Sequence, residues 1–211
     1  MRVSPVTCGQ VDLVRVRRCI LELQLPKAGQ LMTEEIITLG SRIAYENRWL
    51  RVREDQIRRR DGSEGIYGVV ERSDFVVIAP LENGRITLVE QYRYPIRMRQ
   101  WELPMGTCEL TPNATPEDMA AAELREETGL VANSWVYAGE ILQGPGYCTQ
   151  RGHVFLATGL TQGPTEREVT EQDLVCRSFE IDTVMEMVRE GALRDAITIA
   201  SLGMLRMRAL L

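Results

Sequence analysis

The chain has 211 residues, 44% hydrophobic and 26% charged, which suits one globular domain with a small additional element. Its 25 basic and 30 acidic residues leave a net charge of −5, which argues against a protein whose task is to grip a nucleic-acid backbone. It contains no run of about 18 apolar residues to span a membrane, and its five widely spaced cysteines lack a Cys-x-x-Cys pair and are expected to be thiols in a reducing cytoplasm.

Residues 1–31 lack clear periodicity and end in Pro26-Lys27-Ala28-Gly29. Residues 1–40 are therefore read as an N-terminal extension, with Met32 as the candidate functional start. Glu22 and Gln24 interrupt the apolar segment 19–25, so no secretory signal is expected. From 41 to 72 the chain reads as β structure: short β-branched and aromatic runs at 43–45, 49–53 and 66–70, with Asp61-Gly62 as a hairpin signal between the last two. Interleaved charges imply a thin sheet with one wet face, too small to stand alone.

Residues 73–211 carry a mixed pattern. An apolar run at 75–79 is followed by a second hairpin turn, Asn83-Gly84, and a strand-like run at 86–89. The spacing predicts a helix over 116–128, strands over 135–142 and 153–157, and helices over 183–189 and 194–210. Strands flanked by a few helices, without regular βαβ alternation, indicate an α+β sandwich. One histidine, His153, argues against a zinc site or a Ser-His-Asp triad; it reads as an ordinary strand residue.

The 116–128 helix is well punctuated. Thr115 can cap it, Pro116 suits its first turn, Asp118 completes a capping box, and Gly129 falls where a C-terminal glycine belongs. Its last turn holds Glu123, Glu126 and Glu127, whose spacings of three and four bring the side chains near one face. Each like-charged pair costs about 0.2–0.5 kcal/mol, and carboxylates at the negative end of the helix dipole add a further penalty. A divalent cation would reverse the sign of that cost, and carboxylates with water suit Mg²⁺ or Mn²⁺. By itself the cluster reads more readily as a solvated acidic face.

The flanking residues decide between these readings. Trp101-Glu102-Leu103-Pro104-Met105-Gly106 precedes the helix, and the run from Glu123 to Leu130, Glu-Leu-Arg-Glu-Glu-Thr-Gly-Leu, closes it. That run resembles the core of the Nudix box. Glu-Leu-Pro-Met-Gly resembles the corresponding stretch of the ADP-ribose pyrophosphatase branch, as do Gln91-Tyr92-Arg93-Tyr94-Pro95 and Arg194-Asp195-Ala196-Ile197-Thr198-Ile199-Ala200. The resemblance spans residues 41–206 and implies a Nudix α/β/α sandwich over 73–211, with the small antiparallel sheet of 41–72 pairing across a homodimer.

The resemblance also implies roles. Glu123, Glu127 and the backbone carbonyl of Met105 match metal ligands, with Glu126 as a catalytic carboxylate beside them. Arg93, Arg51 and Gly106 fall in the substrate-binding set, and Arg93 matches a residue that contacts phosphates. The family branch supplies one more glutamate from a loop, here 165–173, where Glu171 is the first candidate and Glu168 the second. The implied activity is hydrolysis of a nucleoside diphosphate derivative, first ADP-ribose or an ADP-sugar to AMP and a sugar phosphate. Another nucleotide-sugar, a dinucleoside polyphosphate, or retention as a ligand-binding module is the alternative. Pro145 agrees with the ADP-ribose branch, whereas Tyr147 lies close to a tyrosine of diadenosine-polyphosphate hydrolases. Ala122 and Ala114 replace an arginine and a glutamate of the usual box, and the stretch from Gly106 to Ala122 is two residues longer than usual. No nucleic-acid or membrane partner is implied.

Overall fold

A computed structural model describes residues 35–107, 114–164 and 173–211. The first apolar runs form β1 (Ile36–Glu46), β2 (Arg51–Arg59) and β3 (Glu64–Glu71), an antiparallel sheet of its own in the order β1-β2-β3. Asp61 closes the β2–β3 turn by accepting the Ser63 N–H at 2.9 Å, and Gly62 supplies the positive φ of 84°. Trp49, expected within a strand, lies instead in the β1–β2 turn. Asn47 Oδ1 accepts the N–H groups of both Trp49 (2.8 Å) and Leu50 (3.0 Å), so the local side-chain bonds override the residue's strand preference. Of the extension 1–40, residues 1–34 lie outside the described residues, and Ile36 onward belongs to β1.

The rest forms β4 (Phe75–Glu82), β5 (Arg85–Arg93), a 3₁₀ turn at Tyr94–Ile96, β6 (Met98–Glu102), β7 (Met105–Gly106), α1 (Pro116–Thr128), β8 (Leu130–Leu142), β9 (Arg151–Gln162), β10 (Val175–Glu180), α2 (Ile181–Arg189) and α3 (Ala196–Met207). The seven strands make one mixed sheet in the order β10-β5-β4-β9-β8, with β6 paired to β5 and β7 to β4; β4 and β9 run parallel. The Asn83-Gly84 turn has φ of 51° and 75°, the two positive values a tight two-residue hairpin requires.

Strand β4 is the centre because every residue from Phe75 to Pro80 can be buried. Val76 and Ile78 face α1 with Ala120, Leu124, Phe155 and Ala157, while Phe75, Val77 and Ala79 face the opposite core with Val184, Leu193, Leu202 and Leu205. Helices thus cover both faces, giving the α/β/α sandwich expected from the sequence. Strands β6, β7 and β10 escape a reading by periodicity: Met98–Glu102 and Val175–Glu180 mix charge with apolar residues, and β7 is two residues long. Helix α3 begins later than expected because Asp195, not Arg194, ends the preceding segment and caps it, accepting the Thr198 N–H at 2.7 Å.

The small sheet is sewn to the sandwich through the β8–β9 loop. Val70 donates to Tyr147 O (2.7 Å), Thr149 donates to Val70 O (3.0 Å), and the Tyr67 hydroxyl donates to Gly146 O (2.8 Å). Among the described residues no helix is long and apolar enough to cross a membrane, and Cys148 carries no disulfide there.

Candidate active site

Helix α1 holds its predicted cap: Asp118 N–H donates to Thr115 Oγ1 at 3.2 Å, and Thr115 N–H donates back to Asp118 at 2.9 Å. The Thr115 hydroxyl, 2.6 Å from Asp118 Oδ2, and then the Thr115 N–H lower the Asp118 pKa below the usual carboxylate range. At the other end Gly129 takes the left-handed conformation, φ 73°, and closes the last turn onto Arg125 O. Ala120 and Leu124 are fully buried against β4 and β9, which fixes the rotation of the helix about its axis. Burying a leucine side chain contributes about 1.5–3 kcal/mol, enough to outweigh the repulsion among the three glutamates of the last turn.

With that rotation set, the carboxylates meet the segment between β6 and α1. Glu127 is 1% exposed, and its Oε2 accepts the Met105 N–H at 3.2 Å. The Glu123 carboxylate lies directly over Gly106, where a Cβ would collide with it. Glu126 sits in the same turn, half-buried. The structure therefore brings Glu123, Glu127, Met105 and Gly106 together. Among the described residues no three histidine, cysteine, aspartate or glutamate side chains yet converge to metal-ligand spacing. The donors nevertheless fit a hard divalent cation: they are oxygen only, and they sit around a glycine that leaves room for them.

Arg93, at the end of β5, turns toward the same region. Its Nε donates to both carboxylate oxygens of Glu102 (2.9 and 3.1 Å), and Nη2 also bonds Glu102. Glu102 is buried. The bond to Glu102 raises the Arg93 pKa above its ordinary value against partial burial, and Glu127 and Asp195 are near enough to pull the same way. Sequence reading assigned Glu102 no role. The available signal was a carboxylate inside an otherwise apolar run, two residues before Pro104, since a buried charge requires a partner.

The remaining candidates are placed differently. Arg51 lies on β2 of the small sheet, bonded to Glu46 at 2.9 and 2.6 Å and facing Glu71; the Glu46 bond raises its pKa. Its contacts join it to that sheet and not to the α1 cluster. Glu168 and Glu171 lie outside the described residues. His153 is a strand residue of β9, its Nδ1 3.3 Å from the Tyr137 hydroxyl.

Comparison with known proteins places these features in a group. Residues 71–199 match the NUDIX domain, and residues 36–70 match the nucleoside diphosphate sugar hydrolase N-terminal domain. An ADP-ribose pyrophosphatase of Mycobacterium tuberculosis (strain ATCC 25618 / H37Rv) is 33% identical over 165 residues, 77% of this chain and 79% of the relative. An ADP-ribose pyrophosphatase of Bacillus subtilis (strain 168) is 34% identical over 118 residues, 56% and 59% of the two chains. A methanol dehydrogenase activator of Bacillus methanolicus is 23% identical over 182 residues, 85% and 96% of the two. Among solved structures, an ADP compounds hydrolase shares the fold with a TM-score of 0.75 at 16% identity, over 86% of this chain and 100% of that one.

Proposed function

We propose that this chain, which belongs to the Nudix family and is a diphosphate hydrolase, acts on ADP-ribose or a related ADP-sugar and releases AMP and a sugar phosphate. The observation that carries this reading is the docking of Glu123 and Glu127 onto Gly106 and Met105, with Arg93 clamped beside them by Glu102. The substrate class is supported by the two ADP-ribose pyrophosphatase relatives.

Mg²⁺ or Mn²⁺ would be held by Glu123, Glu126, Glu127 and the Met105 carbonyl, and would supply charge to offset the diphosphate and a water of lowered pKa. Arg93 has spent Nε and Nη2 on Glu102, so Nη1 is the edge that meets a phosphate oxygen. The buried Glu102 holds that edge in one orientation, so little side-chain entropy is lost when substrate arrives. Glu171, or Glu168 in its place, orients or deprotonates the attacking water. A screen of nucleoside diphosphate derivatives tests the reading: ADP-ribose should be cleaved to AMP and ribose 5-phosphate with Mg²⁺ or Mn²⁺, and excess EDTA should abolish turnover. Full activity in EDTA removes the metal. Preference for a dinucleoside polyphosphate moves the substrate class, and hydrolysis of none of the panel removes the proposed activity.

The chain works as a cytoplasmic homodimer in this reading. Ile36, Ile37, Leu39, Ile43, Tyr45 and Ile66 of the small sheet are all exposed in the single chain, and clustered exposed apolar side chains mark an interaction surface. Light scattering at micromolar concentration should report twice the chain mass, and Ile43→Asp should shift the protein toward monomer. A wild-type monomer at that concentration refutes the dimer.

A further inference from the structure

The segment from Glu102 to Gly106 is tied to four parts of the molecule: β5, α3, β4 and α1. Glu102 bonds Arg93 of β5. Leu103 N–H donates to Thr198 Oγ1 at 2.9 Å. Pro104 O accepts the Ile78 N–H of β4 at 2.9 Å, Met105 N–H reaches Glu127 of α1, and Gly106 lies under Glu123. Thr198 stands apart from the other partners because it comes from α3, on the face of the sheet opposite α1.

Leu103 and Pro104 occupy the step where the chain leaves β5, its partner along β6, and joins β4, its partner along β7. Neither residue belongs to a strand ladder there, and proline has no N–H to give. The Leu103 amide is thus a buried donor that the sheet does not satisfy, and a donor left buried without a partner is strongly disfavoured. Thr198 supplies the acceptor. It is fully buried, its helix is docked by Leu202 and Leu205, and its own N–H is held by Asp195.

We propose that Thr198 is a positioning residue for the metal-binding segment: it fixes the step at Leu103, and so sets where Met105 and Gly106 meet Glu127 and Glu123. This rests on reading those residues as the metal site. Without the hydroxyl, the segment relieves the orphaned Leu103 N–H by shifting, and Met105 two residues on shifts with it. Valine keeps the shape of threonine but not the acceptor, while serine keeps the acceptor. Ser201, one turn along the same helix and equally buried, has a hydroxyl without a hydrogen-bond partner among the described residues, so Ser201→Ala perturbs the same interface without touching Leu103.

The test uses the full chain and Mn²⁺ alone as probe, with binding read from the spectroscopic signal of unbound Mn²⁺, alongside kcat and KM for ADP-ribose and the Tm of each variant without metal. Thr198→Val should weaken Mn²⁺ binding about tenfold, the low end of what losing a partner behind a metal ligand costs, and lower kcat more than it changes KM. Thr198→Ser and Ser201→Ala should stay within about threefold of wild type by the same scale. Thr198→Ala reads the same loss should the valine variant fail to fold. A purely structural role lowers Tm and leaves Mn²⁺ affinity alone, so a change under about threefold in Thr198→Val, or no rescue by serine, overturns the proposal. If Glu127→Gln loses Mn²⁺ binding while Thr198→Val keeps it, only the role of Thr198 falls; if Glu127→Gln binds as wild type does, the metal reading falls and takes this proposal with it.

Discussion

Glu127→Gln should lower kcat at saturating Mg²⁺ by at least about a thousandfold, equivalent to about 4 kcal/mol in the barrier, while the protein stays folded. The two effects separate because the residue has two tasks. As a fold element, Glu127 is a buried side chain whose Oε2 accepts the Met105 N–H. Glutamine has the same volume and an amide oxygen that accepts the same bond, so the contact to Met105 survives. As a charge, Glu127 belongs to a group of three carboxylates at the negative end of α1, in electrostatic reach of the Arg93 guanidinium. Neutralising it removes repulsion from Glu123 and Glu126 and also attraction to Arg93, two changes of opposite sign, so the metal-free Tm should stay near that of the wild type. The rise in Tm that Mn²⁺ gives the wild type should shrink or vanish, because stabilisation by a ligand tracks its affinity for the folded state. Activity within about tenfold of wild type would assign the chemistry to other groups.

The elements that could be read from the sequence are those whose local chemistry agrees with their packing. Helix α1 is the clearest: its threonine cap, N-terminal proline and terminal glycine each have a backbone reason, and its boundaries match residue for residue. Strand β4 and the Asn83-Gly84 hairpin are similar, since a continuous apolar run and two positive φ values leave few alternatives. Edge elements were hidden. Strand β8 begins at Leu130 although Asn133 and Ser134 are polar, because an edge strand half in solvent needs no unbroken apolar alternation. The spacing of Glu123, Glu126 and Glu127 showed that they share a side of the helix. It did not show that the middle one is less buried than Glu127, which depends on Leu124 setting the helix rotation against β4. The pairing of Arg93 with Glu102 and of Leu103 with Thr198 joins residues 9 and 95 positions apart. Such tertiary partners leave no periodic trace; only the oddity of a buried carboxylate points to one of them. Arg51 illustrates the converse. The resemblance put it in the substrate-binding set, and its contacts within the described residues are to Glu46 and Glu71.

Gly106→Ala should reduce kcat/KM by about a hundredfold, near 2.7 kcal/mol, with little change in stability. The substitution adds one methyl group at a position where no unusual φ is involved, so the backbone accepts alanine without strain. What the methyl meets is the Glu123 carboxylate, which occupies the space where the new Cβ would stand. A carboxylate at the end of a three-bond side chain can swing aside cheaply, and the fold therefore loses little. The site loses more, because the displaced group is a proposed metal ligand and small displacements of such groups cost large factors in rate. The predicted signature is a raised Mg²⁺ requirement and a lowered kcat together, with Tm within about 4 °C of wild type, the shift that roughly 1 kcal/mol produces in a domain of this size. A second substitution separates collision from any indirect effect. Glu123→Asp withdraws the carboxylate by about one C–C bond, roughly 1.5 Å, and should itself be impaired. In the Gly106→Ala/Glu123→Asp double variant the shorter acid clears the methyl group, so the combined loss should be smaller than the sum of the two separate losses. Strict additivity, or wild-type kinetics in Gly106→Ala alone, would show that Glu123 does not work from its place above Gly106.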